Sequence, residues 1–146
     1  MATVPDRTWA ERAAEQLTAA GYRRGGARVA VLEVLDTQEC ARTAYDIEAA
    51  LREGGRAVGR ASIYRVLDEL EALGLVSRVQ VGQGSARYEP SRADHHHHHL
   101  VCDRCGQVLP FHDDDLERAI SALSGRVDFD VADHEIVLHG ACSDCR

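Results

Sequence analysis

Apolar residues recur at helical spacing through the first half of the chain. Residues 3–20 set alanines and Leu17 against a side of Glu and Arg, and Gly21 ends the run. After the break at Gly25-Gly26, residues 28–36 repeat Val29, Leu32 and Leu35, with Val31 beside them. Thr43 is placed to cap a third helix with Ala44, Ile47 and Leu51 on its inner face, and Gly54-Gly55 stops it. A fourth helix over 60–73 carries Ile63, Val66, Leu67, Leu70 and Leu73 in one stripe, and Gly74 closes it. Residues 75–81 and 85–89, on either side of Gly82-Gln83-Gly84, read as a β-hairpin. Short helices followed by a hairpin predict a winged helix-turn-helix over 1–89.

The polar stretch 90–94 reads as a hinge, and the pattern changes after it. Residues 95–102 and 107–111 read as strands. Residues 113–123 form a short helix with Leu116, Ile120 and Leu123 inside, its three leading aspartates complementing the helix dipole. Residues 128–139 read as a longer strand, and Gly140 turns into the last cysteine pair. The expected fold is α+β: the winged domain, then a small α/β domain over 95–146. No apolar run approaches the ~20 residues of a membrane span, and the first 21 residues lack a signal peptide's apolar centre, so the expected location is cytoplasmic.

The net charge of −7 argues against nucleic acid until its distribution is seen. Residues 1–90 carry 12 Arg and 13 acids, whereas residues 91–146 carry 5 Arg and 11 acids. The acidity therefore belongs to the second half. Within the first, residues 21–32, 54–67 and 72–88 hold arginines and no acid, the pattern of one basic face. On the fourth helix, Arg60, Ser62, Tyr64 and Arg65 face away from the apolar stripe. Arginine takes phosphate or guanine, and tyrosine packs on a thymine methyl or reaches a phosphate, so this helix suits a DNA major groove.

Four of the five cysteines form two tight pairs, Cys102/Cys105 and Cys142/Cys145, with 36 residues between them. Two C-x-x-C pairs supply the four corners of a closed tetrahedral zinc site, which leaves no position for water and is structural. A zinc clasp also explains how so small a domain holds together. The other dense feature is the run His95 to His99, which continues directly into Leu100-Val101-Cys102, as an appended tag would not. Neighbours on a strand point to opposite faces, so His95, His97 and His99 face one way and His96 and His98 the other. The run thus predicts two distinct metal sites back to back. Candidate partners are Glu117, His134 and His139, while His112 reads as a surface histidine.

Several motifs together carry a family resemblance. They are Gly59-Arg60-Ala61-Ser62-Ile63-Tyr64-Arg65-Val66-Leu67, the run from His95 to Cys102, Cys102-x-x-Cys105-Gly106, and His134 eight residues before Cys142-x-x-Cys145. From about residue 10 to its end the chain resembles the ferric uptake regulator superfamily of bacterial repressors, in its iron- or zinc-sensing branch. The resemblance implies a cytoplasmic homodimer whose second domain is the dimerisation module. Its winged helices would read an inverted-repeat operator in double-stranded DNA, controlling metal-uptake genes. It implies structural Zn(2+) on Cys102, Cys105, Cys142 and Cys145, and a regulatory divalent metal, Zn(2+) or Fe(2+). His96, His98, Glu117 and His134 match the ligand set of the dimerisation domain, which selects His134 over His139. Glu89, His97 and His99 match ligands of a sensing site at the hinge. Tyr64 and Arg65 match DNA-contacting residues, and Arg23 stands where relatives use a basic residue in the minor groove.

The chain departs from the family at the hinge. Iron sensors often have a histidine where Ala41 stands, and the nearest candidate is Cys40. Zinc sensors often have a cysteine between wing and histidines and an acid at the position of Ser77, and both are missing. Pro110 replaces an acidic ligand of some relatives. These departures leave the sensed metal open, and a peroxide-sensing regulator is an alternative within the superfamily. A zinc-dependent nucleobase deaminase would need H-x-E near P-C-x-x-C, which the chain lacks, so no enzyme is expected. A zinc-buffering protein is the alternative from another class, and it would not need the helix-turn-helix.

Overall fold

The computed structural model describes residues 7–80, 84–92 and 96–146. The chain forms two compact units, Met1–Ala93 and Asp94–Arg146. The first contains α1 (Trp9–Ala19), α2 (Gly26–Asp36), β1 (Arg42–Thr43), α3 (Ala44–Glu53), α4 (Arg60–Ala72), β2 (Val76–Val79) and β3 (Arg87–Pro90). Helix α1 starts later than the pattern suggests because Thr8 caps it. The Thr8 hydroxyl accepts the Glu11 N–H at 3.2 Å, and the Glu11 carboxylate accepts the Thr8 N–H at 3.0 Å. Residues 3–6 of the expected helix lie outside the described residues.

Helix α2 packs against α1, α3 and α4. Surrounded on three sides, it buries Ala30, Val31, Leu32 and Leu35, a wider face than the expected stripe, and leaves Val29 half-buried. Thr43 caps α3, its hydroxyl accepting the Asp46 N–H while Asp46 accepts the Thr43 N–H. Helix α4 buries Ile63, Val66, Leu67 and Leu70, and Leu73 falls at its cap. It ends where Gly74 takes φ +67°, with Leu75 N–H donating to the Leu70 carbonyl and Gly74 N–H to that of Glu71. A side chain at position 74 would be strained in that left-handed conformation. Trp9 lies in the same core, its indole N–H donating to the Leu75 carbonyl at 3.2 Å.

The hairpin forms as β2 and β3, antiparallel from Val76↔Pro90 to Val79↔Arg87. Residues 81–83 of its turn lie outside the described residues. Strand β1 joins the other edge of β3, making the sheet order β1-β3-β2. Two residues are too short to leave a periodic signal, so sequence pattern does not show β1. Helices α1 to α4 and this small sheet make the winged helix-turn-helix, with α3 and α4 packed as its two helices.

The second unit holds β4 (His98–Cys102), β5 (Val108–Phe111), α5 (Asp114–Ser124) and β6 (Val137–Gly140). Strand β4 lies between β5, antiparallel, and β6, parallel. The expected strand over 95–102 is shorter here, and His95 lies outside the described residues. The expected strand over 128–139 is corrected to Val137–Gly140. Val127, Phe129 and Val131 alternate with aspartates as a strand should, but no described strand pairs with them, and a strand exists only where a ladder satisfies its backbone. Helix α5 is capped by Asp113, whose carboxylate accepts the Leu116 N–H at 2.8 Å. Its expected interior is also corrected: Leu116 and Ile120 are half-buried and Leu123 is exposed. Among the described residues, this unit buries only His98, His99, Val101 and Cys102. Overall the fold is α+β as expected, and no described helix is long and apolar enough to cross a membrane.

Candidate metal centres and DNA-reading face

Strand pairing explains how cysteines far apart in sequence meet. Cys102 ends β4 and pairs in register with Gly140 at the end of β6. Because the two strands are parallel, both C-x-x-C turns leave the same end of the sheet. The first turn closes with Gly106 at φ +75°, its N–H donating to the Cys102 carbonyl at 2.8 Å. In the second, Cys145 N–H donates to the Cys142 carbonyl at 3.0 Å. The four sulfurs all lie within 4.8 Å of one another. Cys105 Sγ and Cys142 Sγ are 3.8 Å apart. That is the edge of a tetrahedron with metal–sulfur bonds of about 2.3 Å, so the donor set fits zinc. None of the five cysteines is joined in a disulfide.

Backbone donors prepare this site for anionic sulfur. The Cys142 N–H reaches Cys102 Sγ at 3.4 Å. That bond, with others from the N–H groups of Cys105 and Arg104, lowers the Cys102 thiol from 9.0 to about 6 against the opposing effect of burial. Cys145 is pushed up to about 12, first by hydrogen bonding with Cys142 and Cys105 and then by burial. Four crowded thiols cannot all lose protons without a cation among them.

The opposite ends of the same strands hold a second cluster. His98 begins β4 with His96 just before it, His134 precedes β6, and Glu117 lies in the first turn of α5. His96 Nε2 is 3.1 Å from His134 Nε2. Glu117 Oε1 lies 2.6 Å from His98 Nε2, and Glu117 Oε2 lies 3.0 Å from His134 Nε2. One ligand atom from each of the four falls within 4.8 Å of the others. The spacing of the two Nε2 atoms is near the ~3.3 Å edge of a tetrahedron with metal–nitrogen bonds of about 2.0 Å. The hydrogen bond from His98, aided by the charges of His134 and His96, holds Glu117 below the usual carboxylate range despite desolvation. His139 is not part of this cluster, its Nδ1 pairing with Asp103 at 2.9 Å, and exposed His112 pairs with Asp114.

The remaining metal candidates form two pairs, one in each unit. In the first unit, a Glu89 carboxylate oxygen and Cys40 Sγ lie within 4.8 Å of each other. Glu89 is buried in β3, and Cys40 is half-buried in the loop before β1. In the second unit, His97 and His99 offer ring nitrogens within 4.8 Å, with ring centroids 5.0 Å apart.

On α4, Arg60, Tyr64 and Arg65 are exposed and Ser62 is half-buried, on the face away from the core. Gly59 provides no side-chain cap and the first turn has no acid, so its N–H groups remain open to an anion. Exposed Arg23 lies in the α1–α2 loop. Its carbonyl accepts a bond from Arg28 Nη1 at 2.8 Å, and Arg28 also forks onto Glu69 of α4 with two bonds of 2.7 Å. Sequence reasoning missed this strut, whose partners are 41 residues apart. It also missed Tyr45 and Glu48 beside Arg60. Glu48 lies 3.1 Å from the Arg60 guanidinium, which sits 4.6 Å from the centre of the Tyr45 ring. The acid-free stretch around Arg60 was the available signal, but it did not show which acid from another helix reaches in.

The profile described as the ferric uptake regulator family matches residues 19–139. A ferric uptake regulation protein of Legionella pneumophila is 38% identical over 133 residues, covering 90% of this chain and 97% of that protein. The crystal structure of the Vibrio cholerae ferric uptake regulator aligns with a TM-score of 0.77 at 33% identity, over 88% of this chain and 98% of that one. The ferric uptake regulator of Pseudomonas aeruginosa, solved with manganese, aligns with a TM-score of 0.76 at 34% identity, over 89% of this chain and 97% of that one. Matches of this kind run through both the helix-turn-helix and the cysteine-bearing unit, and on them the chain belongs to the ferric uptake regulator family of metal-responsive transcriptional regulators.

Proposed function

We propose that this protein is a dimeric, metal-dependent repressor of metal-uptake genes that works in the cytoplasm. The observation that carries the reading is the convergence of His96, His98, His134 and Glu117 in a chain whose other unit is a DNA-binding fold. Three imidazoles and a carboxylate suit zinc, iron(II) or manganese(II). The relatives are named for ferric uptake, and the Pseudomonas aeruginosa structure contains manganese. The cysteine cluster takes structural zinc, which supplies the second unit with stability that its few buried residues do not.

The homodimer rests on apolar surface that one copy leaves exposed. Leu123, Val127, Phe129 and Val131 are all exposed, Phe129 at 71%. A second copy laid antiparallel along 127–131 would complete the ladder these residues lack and cover their side chains. Arg60, Ser62, Tyr64 and Arg65 then meet the major groove in each half-site and Arg23 meets the minor groove. The pairs Cys40/Glu89 and His97/His99 each offer too few ligands to hold a metal firmly. Binding of a regulatory ion would shift the population toward the DNA-binding form.

The test is a mobility shift with full-length protein, a random duplex pool, and zinc, iron(II) or manganese(II) added to chelated protein. Metal should recover a common inverted repeat, and chelator should release it. Tyr64→Ala or Arg65→Ala should weaken binding while the dimer survives. Equal affinity with and without chelator would refute the switch. Metal uptake with no sequence-selective DNA binding under any of these ions would instead indicate zinc buffering.

A further inference from the structure

Three charged or aromatic side chains from two helices meet at the start of the recognition helix α4. Arg60 is its first residue, and Tyr45 and Glu48 come from α3. The Arg60 guanidinium lies over the Tyr45 ring, 4.6 Å from its centre, and its Nε lies 3.1 Å from Glu48 Oε2. Arg52, one turn after Glu48, reaches the same carboxylate at 3.5 Å. Tyr45 is half-exposed at 50%, and the Arg60 side chain is exposed to a similar degree at 49%. Neither is needed to fill the core.

An arginine at an exposed helix start ordinarily samples many rotamers, and fixing it on binding costs entropy. Here a ring face and a carboxylate fix it beforehand. The two partners differ in their effect on an incoming phosphate. Glu48 competes with phosphate for the guanidinium. The Tyr45 ring does not, because a cation stacked on an aromatic face keeps its N–H edges free.

We infer that Tyr45 is a positioning residue of the DNA interface: it holds Arg60 at the start of α4 with its guanidinium edge presented to a backbone phosphate, and Glu48 steadies it until DNA arrives. The inference rests on the proposed DNA-binding function and adds to it a residue on the first helix of the helix-turn-helix. Tyr45 acts through Arg60 and does not itself touch the DNA.

The experiment is a double-mutant cycle on full-length, metal-loaded protein, using the duplex that the wild type selects from the random pool. Binding is followed by fluorescence anisotropy across a range of salt concentrations. Arg60→Ala should reduce the salt slope by about 0.9 for each phosphate that is no longer neutralised. Tyr45→Leu should weaken binding about two- to fivefold per half-site, as expected for an exposed cation–π pair, and lower the slope in the same direction. Tyr45→Phe, which keeps the ring, should bind as wild type does. In the Arg60→Ala background Tyr45→Leu should have no further effect.

A normal salt slope in Tyr45→Leu would overturn the inference. A further loss of affinity when Tyr45→Leu is added to Arg60→Ala would also overturn it, because Tyr45 would then act on DNA independently. A drop in melting temperature with an unchanged slope would make its role structural and refute positioning. If Tyr64→Ala abolishes binding while the Tyr45 and Arg60 variants bind normally, this inference fails together with the Arg60 contact, and the metal-dependent repressor reading stands. If the wild type selects no duplex, the proposed function fails with it.

Discussion

The strut between α2 and α4 allows a quantitative test of what holds the reader in shape. Arg28 donates from Nε and Nη2 to both oxygens of Glu69, each at 2.7 Å, and from Nη1 to the Arg23 carbonyl at 2.8 Å. Its guanidinium also lies 5.4 Å from the centre of the Tyr22 ring. The pair is mostly shielded, with side-chain exposures of 23% for Arg28 and 11% for Glu69. Exposed ion pairs contribute about 0–1 kcal/mol, and breaking a fully buried one costs ~3–5 kcal/mol. Arg28→Met, which keeps the stem and removes the fork, should therefore fall between these limits at about 2 kcal/mol. Most of that loss is the penalty of leaving Glu69 shielded and unpaired. Arg28→Met with Glu69→Leu removes both charges and should cost less than Arg28→Met alone.

Trp9 is the only tryptophan and lies buried in the first unit, so its fluorescence reports urea unfolding of that unit without interference from the second. With a urea slope of about 1–2 kcal/mol/M, Arg28→Met should move the midpoint down by roughly 1–2 M. The double variant should recover part of that shift. A single variant within about 0.3 M of wild type would refute the reasoning, as would a double variant showing the full sum of the two single losses. Because Arg28 also holds the loop that carries Arg23, Arg28→Met should weaken DNA binding at temperatures where the protein remains folded.

Further expectations concern the second unit. In metal-free protein, the thiolate ultraviolet absorbance should show one step near pH 6 from Cys102, and Cys102→Ser should remove it. A profile with no thiolate below pH 8 would contradict the backbone-donor account. Because the folded pKa is lowered from 9.0 to about 6, the Cys102 contribution to metal-free stability is present at high pH. It declines as pH falls below 9 and is gone below 6, a trend that unfolding midpoints across this range should reproduce. Phe129→Asp should dissociate the dimer by sedimentation while the cysteine zinc stays bound. At about 2 kcal/mol per covered ring, removing two rings per dimer corresponds to a ~1000-fold weaker association. Glu117→Gln should weaken metal uptake at the histidine cluster about tenfold or more and leave the zinc content of the cysteine cluster unchanged, as read by metal analysis after dialysis.

Several features of this protein were readable from the order of its residues because the physics behind them is local. The Thr43 cap, the apolar stripe of α4 and its stop at Gly74 each depend on residues within a turn or two. The alternation of strand faces divides the histidine run, with His96 and His98 in one cluster and His97 and His99 in another. The two C-x-x-C pairs indicated zinc because thiolate pairs at that spacing suit little else. Spacing alone did not choose between His134 and His139. That choice depends on the parallel register of β4 and β6, which sets His134 beside His96 and turns His139 toward Asp103.

The longer-range arrangements had no local signature. Arg28 meets Glu69, and Arg60 meets Tyr45 and Glu48, only because the helices cross as they do. The expected strand over 128–139 and the expected interior of α5 failed for a common reason. Periodicity reports which residues seek cover, but it does not say whether the same chain provides it. Leu123, Val127 and Phe129 have the pattern of buried positions and are exposed in a single copy. Tertiary structure decides where burial ends, because burial depends on how much partner surface the folded chain can bring to each face.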